Sequence, residues 1–294
     1  MNIQTQEITS PILRSKKIKL FIKRIDLIHP YVSGNKFYKL KYNFIELKKQ
    51  KKNKVLTFGG AYSNHICATS FLANKNNIKS IGIIRGEQHS QLNSTLEFAR
   101  KKGMDIHYFS REEYRNKHKP YFIEELKYRY GDFYLLPEGG SNILAVKGTE
   151  EIIDDDKSNY ICCSIGTGGT IAGIMNASKK NQMIIGFPAL KSHLDLQNNI
   201  KKWSRRSNLK LEYGYVGKGY AKISKELVKF INTFYNNYNI PLDAVYNGKM
   251  MFGIFDLVSK DYFKEGSSIL AIHTGGIQGN RGFINRFGID LPIK

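Results

Sequence analysis

Short apolar runs alternate with amphipathic stretches almost from one end of the chain to the other. Phe37, Leu40, Phe44 and Leu47 recur at three- and four-residue intervals, the stripe of an amphipathic helix. Residues 54–58 read as a strand running into Gly59-Gly60, followed by a helix over 63–74 and a strand over 80–84. A helix is predicted over 91–102, with Gly103 as its stop signal, and a strand over 105–109. Ser110 and Glu113 stand at the spacing of a capping box that opens the next helix. Further strands are predicted at 133–136, 160–164, 183–187 and 268–273, with a helix over 171–179.

Strands alternating with helices imply right-handed βαβ crossovers, hence an α/β protein of mostly parallel open sheets with helices on both faces. The chain has no internal repeat and no Pro/Ser-rich linker. A domain boundary is therefore expected as a crossing between two packed lobes rather than a tether. Ligands of open parallel sheets bind beyond the carboxyl ends of the strands, and the glycine-rich segments of this chain fall there.

At 294 residues the chain has the length of about two domains. With 41% hydrophobic and 12% aromatic residues it can bury a substantial core. No run approaches the ~18 apolar residues of a membrane span, so no membrane partner is expected. Residues 1–7 show neither a basic stretch nor an apolar one, so no secretory signal is expected either. Cys67, Cys162 and Cys163 form no CxxC pair, which argues against a disulfide framework and a zinc site and fits a cytoplasmic protein.

The charge changes the picture most: 46 basic against 25 acidic residues give +21. Such an excess suits nucleic acid or an anionic membrane. The basic residues are dispersed, however, in short runs such as Lys201-Lys202 and Arg205-Arg206, and no nucleic-acid-binding signature accompanies them. They read as solvated faces, and a nucleic-acid partner is not expected.

Four segments could carry chemistry. Gly166-Thr167-Gly168-Gly169-Thr170 lies between a predicted strand and a predicted helix. Its amides and the helix N-terminus suit a phosphate, or the segment is a tight turn only. It is not a dinucleotide fingerprint, because Ile171 stands where the last glycine belongs, and no G-K-[ST] follows. Ser63-Asn64 opens a helix after Gly59-Gly60; these residues either cap that helix or present their side chains to a carboxylate or oxyanion. His273-Thr274-Gly275-Gly276 ends the last predicted strand, and Ser33-Gly34-Asn35-Lys36 precedes the first clear helix. Tyr220 and Tyr246 lie in glycine-flanked stretches. No HExxH, catalytic-triad cluster or G-x-S-x-G elbow appears.

Taken together and in order, these motifs resemble the pyridoxal-phosphate enzymes of tryptophan-synthase-β type. More narrowly, they are similar to the family of 1-aminocyclopropane-1-carboxylate (ACC) deaminase and D-cysteine desulfhydrase. The likeness spans essentially the whole chain: Gly34-Asn35-Lys36 with Lys39-Leu40, Ser63-Asn64-His65, Pro137 to Asn142, the 166–170 loop, Asp243 to Lys249, and His273 to Gly276. It implies a two-lobed fold, with a large cofactor-binding domain of residues 1–44 and 148–294 and a small inserted domain of residues 45–147. It implies pyridoxal 5'-phosphate as cofactor and a homo-oligomer, most simply a dimer. Lys36 would form the Schiff base and shuttle the substrate proton, aided by burial that lowers its pKa. Lys39 and the amides of Gly166, Thr167, Gly168, Gly169 and Thr170 would hold the phosphate. Asn64 would bond the phenolic oxygen and Ser63 the substrate carboxylate. Tyr220 and Tyr246 would close over the substrate, and Asn247 and Thr274 would lie toward the pyridine nitrogen.

Within that likeness, ACC deaminases carry a glutamate where Asn247 stands, while the desulfhydrases carry a neutral residue and a threonine, as here. The expected reaction is therefore β-elimination from D-cysteine, giving pyruvate, ammonia and sulfide. ACC deamination to 2-oxobutanoate and ammonia is the alternative, and a binding protein that has lost catalysis a more distant one. Tyr62 replaces the family's usual glutamine, and Ala221-Lys222 its usual glycine and proline, both beside the expected substrate pocket.

Overall fold

The computed structural model describes residues 3–88, 91–189, 193–217 and 223–293. Among them ten strands are present: β1 (Thr5–Ile8), β2 (Lys19–Lys23), β3 (Lys54–Gly59), β4 (Lys79–Arg85), β5 (Met104–Phe109), β6 (Tyr134–Leu136), β7 (Tyr160–Ile165), β8 (Met183–Pro188), β9 (Leu209–Leu211) and β10 (Ser268–Ile272). They build two sheets. The larger has the order β1-β2-β10-β7-β8-β9 and the smaller β5-β4-β3-β6. Only β1 runs antiparallel to its neighbour; the other pairings are parallel. The α/β expectation holds, and each predicted strand is present to within two residues of its predicted ends.

Period-two alternation explains why the larger sheet is buried on both faces. Along β7, Cys162 enters one apolar cluster with Ile185, Phe187, Ile269 and Ala271. Its neighbours Ile161, Cys163 and Ile165 enter another with Ile184, Leu270 and Ile272. Strands apolar at successive positions are the signature of parallel sheets covered by helices on either side.

The helix Asn35–Lys49 joins the two sheets. Leu40, Phe44 and Leu47 pack into the cluster of Val55 and Leu136 under the smaller sheet, while Tyr38 enters the cluster of Ile161 and Ile272 under the larger one. Burying side chains of this kind contributes roughly 1.5–3 kcal/mol each, so the helix is fixed from both sides. Its N-terminus, with Lys36 and Lys39, sits where the loops leaving β3, β6, β7 and β10 converge.

The helix predicted over 91–102 spans Ser94–Lys101, because the Asn93 side chain caps it by accepting from the Thr95 and Leu96 amides. The capping box of Ser110 and Glu113 is present. The helix after the 166–170 loop begins at Gly169, two residues earlier than predicted, and ends at Ala177. Among the described residues, no helix is long and apolar enough to cross a membrane.

Candidate active site

The loop leaving β10 receives the start of the Asn35–Lys49 helix. Gly34 has φ +61, and a Cβ there would strike the Thr274 carbonyl; the Asn35 amide donates to that carbonyl at 3.3 Å. Only glycine permits both the left-handed backbone and the contact. The turn is pinned from behind by His273, whose Nδ1 accepts the Gly275 amide at 3.2 Å while its Nε2 meets the Pro241 carbonyl at 2.7 Å.

Lys36 emerges from this turn with its Nζ 2.8 Å from Asn35 Oδ1. The other side of the Asn35 amide donates to Thr170 Oγ1 at 2.9 Å, so one asparagine ties the lysine to the helix that follows β7. Burial lowers the Lys36 amine to about 8, with Asp243 and Cys163 opposing the shift.

Lys39 lies one turn further on and is 2% exposed. Its Nζ donates to the Gly139 carbonyl at 2.8 Å, to Ser141 Oγ at 2.6 Å and reaches Thr167 Oγ1 at 3.5 Å. The Ser141 and Thr167 hydroxyls are themselves hydrogen-bonded. Burial, and then the charge of Lys36, push the Lys39 amine well below its ordinary value. Among the described residues no carboxylate pairs with it. Beside it the helix Gly169–Ala177 starts from Gly168 without a side-chain cap. A buried amine, two hydroxyls and an uncapped helix N-terminus make a site short of negative charge, which a phosphate satisfies.

Ser63 caps the helix Asn64–Lys75, its Oγ accepting the Ile66 amide at a long 3.4 Å. Asn64 Oδ1 is buried without a hydrogen-bond partner. A Cβ on Gly276, which has φ +98, would run into the Asn64 side chain. Thus the loop after β10 shapes the space in front of Asn64. His65 is also buried; its Nε2 lies 2.7 Å from Thr57 Oγ1, which donates to the Leu136 carbonyl. The His65 Nε2 is therefore the donor, and its Nδ1 is left without a partner facing Gly140.

Asp243 closes the far side. Its two oxygens accept the amides of Val245, Tyr246 and Asn247 and the Asn247 side chain. Burial raises this carboxyl while those donors pull it down. Asn247 spends its remaining capacity on the loop after β10: Nδ2 donates to the Gly275 carbonyl at 2.8 Å, and Oδ1 accepts from Thr274. Thr274 Oγ1 also lies 3.1 Å from Ser164 Oγ. The Tyr246 ring rests against Gly166, close enough that a Cβ on that glycine would lie 3.4 Å from the ring.

The structure thus brings together Lys36, Lys39, Asn64, the 166–170 loop, Tyr246, Asn247 and Thr274, with Ser63 at the adjoining helix terminus. Tyr220, with Ala221-Lys222, lies outside the described residues. Three partners went unassigned in the sequence: Asn35 beside Lys36, Ser141 beside Lys39, and Asp243 behind Asn247. Ser141 lay inside a quoted motif, but only the fold shows which lysine it faces.

The arrangement has a counterpart among known proteins. The model of the family described as "Pyridoxal-phosphate dependent enzyme" matches residues 3–275. The chain belongs to that family. Within it, the chain is similar to the bifunctional D-cysteine desulfhydrase/1-aminocyclopropane-1-carboxylate deaminase, mitochondrial, of Arabidopsis thaliana: 31% identical over 292 residues, covering 89% of this chain and 73% of the relative. It is likewise similar to a putative 1-aminocyclopropane-1-carboxylate deaminase of Pyrococcus horikoshii, with 30% identity over 88% of this chain and 85% of the relative. A crystal structure of an ACC deaminase homologue superposes with a TM-score of 0.81 and 26% identity, over 97% of this chain and 94% of that one. O-ureido-L-serine synthase shares the fold at 11% identity, with a TM-score of 0.70 over 97% of this chain and 91% of that one. Pyridoxal phosphate is the cofactor of this family. A phosphorylated aldehyde with a phenolic O–H could satisfy both features, its hydroxyl donating to the orphaned Asn64 oxygen and its phosphate filling the anion-poor cradle around Lys39.

Proposed function

We propose that the chain catalyses elimination and deamination of a small amino acid, foremost β-elimination from D-cysteine, with water consumed and pyruvate, ammonia and sulfide released. The observation that carries this reading is Lys36, an amine lowered to about 8 by burial and set next to the Lys39 anion cradle. Pyridoxal phosphate, when bound, supplies an electron sink for negative charge at the substrate's α-carbon.

The remaining steps belong to the chain's own residues. Lys39, Ser141, Thr167 and the Gly169 helix terminus would hold the phosphate, and Asn64 the phenolic oxygen. Ser63 and the first amides of the helix Asn64–Lys75 would orient the substrate carboxylate. Lys36 Nζ would take the proton from the α-carbon; an amine brought down to about 8 has a far larger neutral fraction near neutral pH than an ordinary lysine and is still basic enough to act. Tyr246, opposite Gly166, would cover the substrate and exclude water.

Neutrality at Thr274 favours elimination over cyclopropane opening. Asp243, a buried carboxylate nearby, is engaged by four N–H donors, so Thr274 would offer the ring nitrogen a hydroxyl. A weaker electron sink suffices when a good leaving group departs. ACC deamination is the second reading, supported by the two activities named for the Arabidopsis relative.

The test is 2-oxo acid release from D-cysteine and from ACC, wild type beside Lys36→Ala. Pyruvate from D-cysteine that vanishes in the variant is expected. Release of 2-oxobutanoate alone would shift the assignment to ACC, and release equal in the variant would remove Lys36 from the reaction.

A further inference from the structure

A cavity of about 630 Å³ is lined by Asn64, Tyr246 and Gly276 and by residues of two further groups of elements. Arg85 ends β4, and Arg111 and Arg115 lie on the helix Arg111–Arg115. The helix Asn280–Phe287 contributes Arg286 beside the apolar Phe283 and Phe287 to the same lining. Lys39 and Thr167 do not line this space, so the cationic wall is separate from the cradle assigned to the cofactor phosphate.

The general basic excess does not account for this wall. The chain has 35 lysines and only 11 arginines, yet four of the five cations lining the cavity are arginine. Arginine presents a planar fork that binds carboxylate, sulfonate or phosphate groups in bidentate fashion, which a lysine does not. Among the described residues none of these four arginines is in an ion pair. The two acids of the lining are already engaged: Glu138 with Tyr114 and Lys117, Asp243 with four N–H donors. The arginines therefore face the cavity as uncompensated charge. Phe283 and Phe287 also line the cavity, where Arg286 lies over the Phe287 ring at 5.1 Å.

We infer that this cavity selects an amino-acid substrate whose side chain carries a second anionic group, with the α-carboxylate held at Ser63 and the distal anion held between Arg111 and Arg286. The inference rests on the reading of the Lys36 site as an amino-acid site and goes beyond D-cysteine, whose side chain carries no such anion, to a preference that D-cysteine turnover does not require. Tyr62 lines the same cavity and leans on Gly282 of the Arg286 helix, which places the departure from the family's usual glutamine within the selecting wall.

Binding, not turnover, tests it. The cofactor-loaded enzyme is titrated calorimetrically with aspartate against asparagine and glutamate against glutamine, each as both enantiomers, at low and high salt. The acids are expected to bind at least about tenfold more tightly than their amides, with the preference shrinking at high salt. In Arg111→Gln/Arg286→Gln the acid-to-amide ratio should fall to near one. Arg281→Gln, on the same helix but not lining the cavity, should leave the ratio as in the wild type. Equal affinities in the wild type, a preference that survives the double variant, or no binding of the acids would each overturn the inference. Because the titration reads affinity alone, a dianion preference without 2-oxo acid release would sink the proposed reaction and leave this inference standing. Turnover of D-cysteine without any such preference would do the reverse.

Discussion

Asn247 and Thr274 meet through two hydrogen bonds to one atom: Asn247 Oδ1 accepts the Thr274 amide at 3.0 Å and the Thr274 hydroxyl at 3.1 Å. The other half of the same amide group is divided between Asp243 Oδ2 at 2.6 Å and the Gly275 carbonyl at 2.8 Å. All four hydrogen-bonding positions of a wholly buried side chain are thus taken by protein. Asn247 fixes Thr274, so any effect it has on a bound cofactor would pass through Thr274.

It follows that Asn247 is a poor site for converting the specificity. Asn247→Leu would leave the Thr274 amide and the Gly275 carbonyl unpaired in the interior, at about 1–3 kcal/mol for each group. Asn247→Glu would set a second carboxylate against Asp243, and two acids in one dry site cannot both ionise. Both variants are expected to unfold at lower urea concentration than the wild type by about 3 kcal/mol or more. Urea titrations that overlay the wild type would refute the role assigned to this residue.

The amine of Lys36 should reveal itself by pH. In the folded protein it titrates near 8, against 10.5 for an unperturbed lysine. Only the neutral amine attacks a carbonyl, so the rate of cofactor uptake by the cofactor-free protein should rise about tenfold per pH unit up to about 8 and then level off. The same shift bears on stability. Between pH 8 and 10.5 the unfolded chain holds the proton that the folded chain has released, so stability rises with pH across that window. Urea titrations of wild type and Lys36→Met along the pH scale isolate the contribution: the difference between the two should narrow toward pH 10 in the wild type's favour. An uptake rate still climbing tenfold per unit at pH 10 would contradict it.

How much of this was legible beforehand depends on range. The stripe of Phe37, Leu40, Phe44 and Leu47 gives the helix because neighbours three and four apart share a face, and the apolar run of β7 gives a doubly buried strand. The antiparallel edge strand β1 has no such signal: Thr5–Ile8 is mostly exposed, and its place is set by pairing with β2. In the site, Lys36, Asn64, the 166–170 loop and Thr274 stood out because each lies in or just after a glycine-marked segment, while Lys39, inside the helix Asn35–Lys49, was assigned only through the family resemblance. Asn35, Ser141 and Asp243 did not, because their roles lie in which distant atoms they meet, Thr170, Lys39 and Asn247 respectively. The four cavity arginines were invisible for the same reason. Arg85 and Arg286 are far apart in sequence, and only the packing of the two sides makes them one surface.

Lys39 leads to a proton count. Burial and the neighbouring Lys36 hold its amine well below the ordinary lysine value in the cofactor-free protein. A phosphate dianion placed beside it supplies the missing opposite charge and restores the protonated form. Binding of pyridoxal phosphate should therefore take up protons at pH values above the lowered Lys39 value and below the restored one, measurable by calorimetry across pH in buffers of different ionisation enthalpy. In Lys39→Met the uptake should disappear and affinity should fall by about 1.5–3 kcal/mol, the range of a hydrogen bond to a charged group. Uptake unchanged in the variant would place the proton elsewhere.

The turn ahead of Lys36 should tolerate no side chain at all. Gly34 holds φ +61, and a Cβ there would collide with the Thr274 carbonyl, to which the adjacent Asn35 amide is bonded. Gly34→Ala therefore costs left-handed strain of about 1 kcal/mol and also forces apart the two segments that carry Lys36 and Thr274. Gly60 makes a fair control: it also stands beside the site, yet nothing lies within 4 Å of a Cβ built there. Gly34→Ala is expected to lose cofactor binding and to unfold at lower denaturant by several kcal/mol, as overpacking against backbone does. Gly60→Ala should stay within about 1 kcal/mol of the wild type and keep its cofactor. If the two variants behaved alike in urea titration and in equilibrium dialysis with pyridoxal phosphate, the contact between Gly34 and Thr274 would not be what sets Lys36 in place.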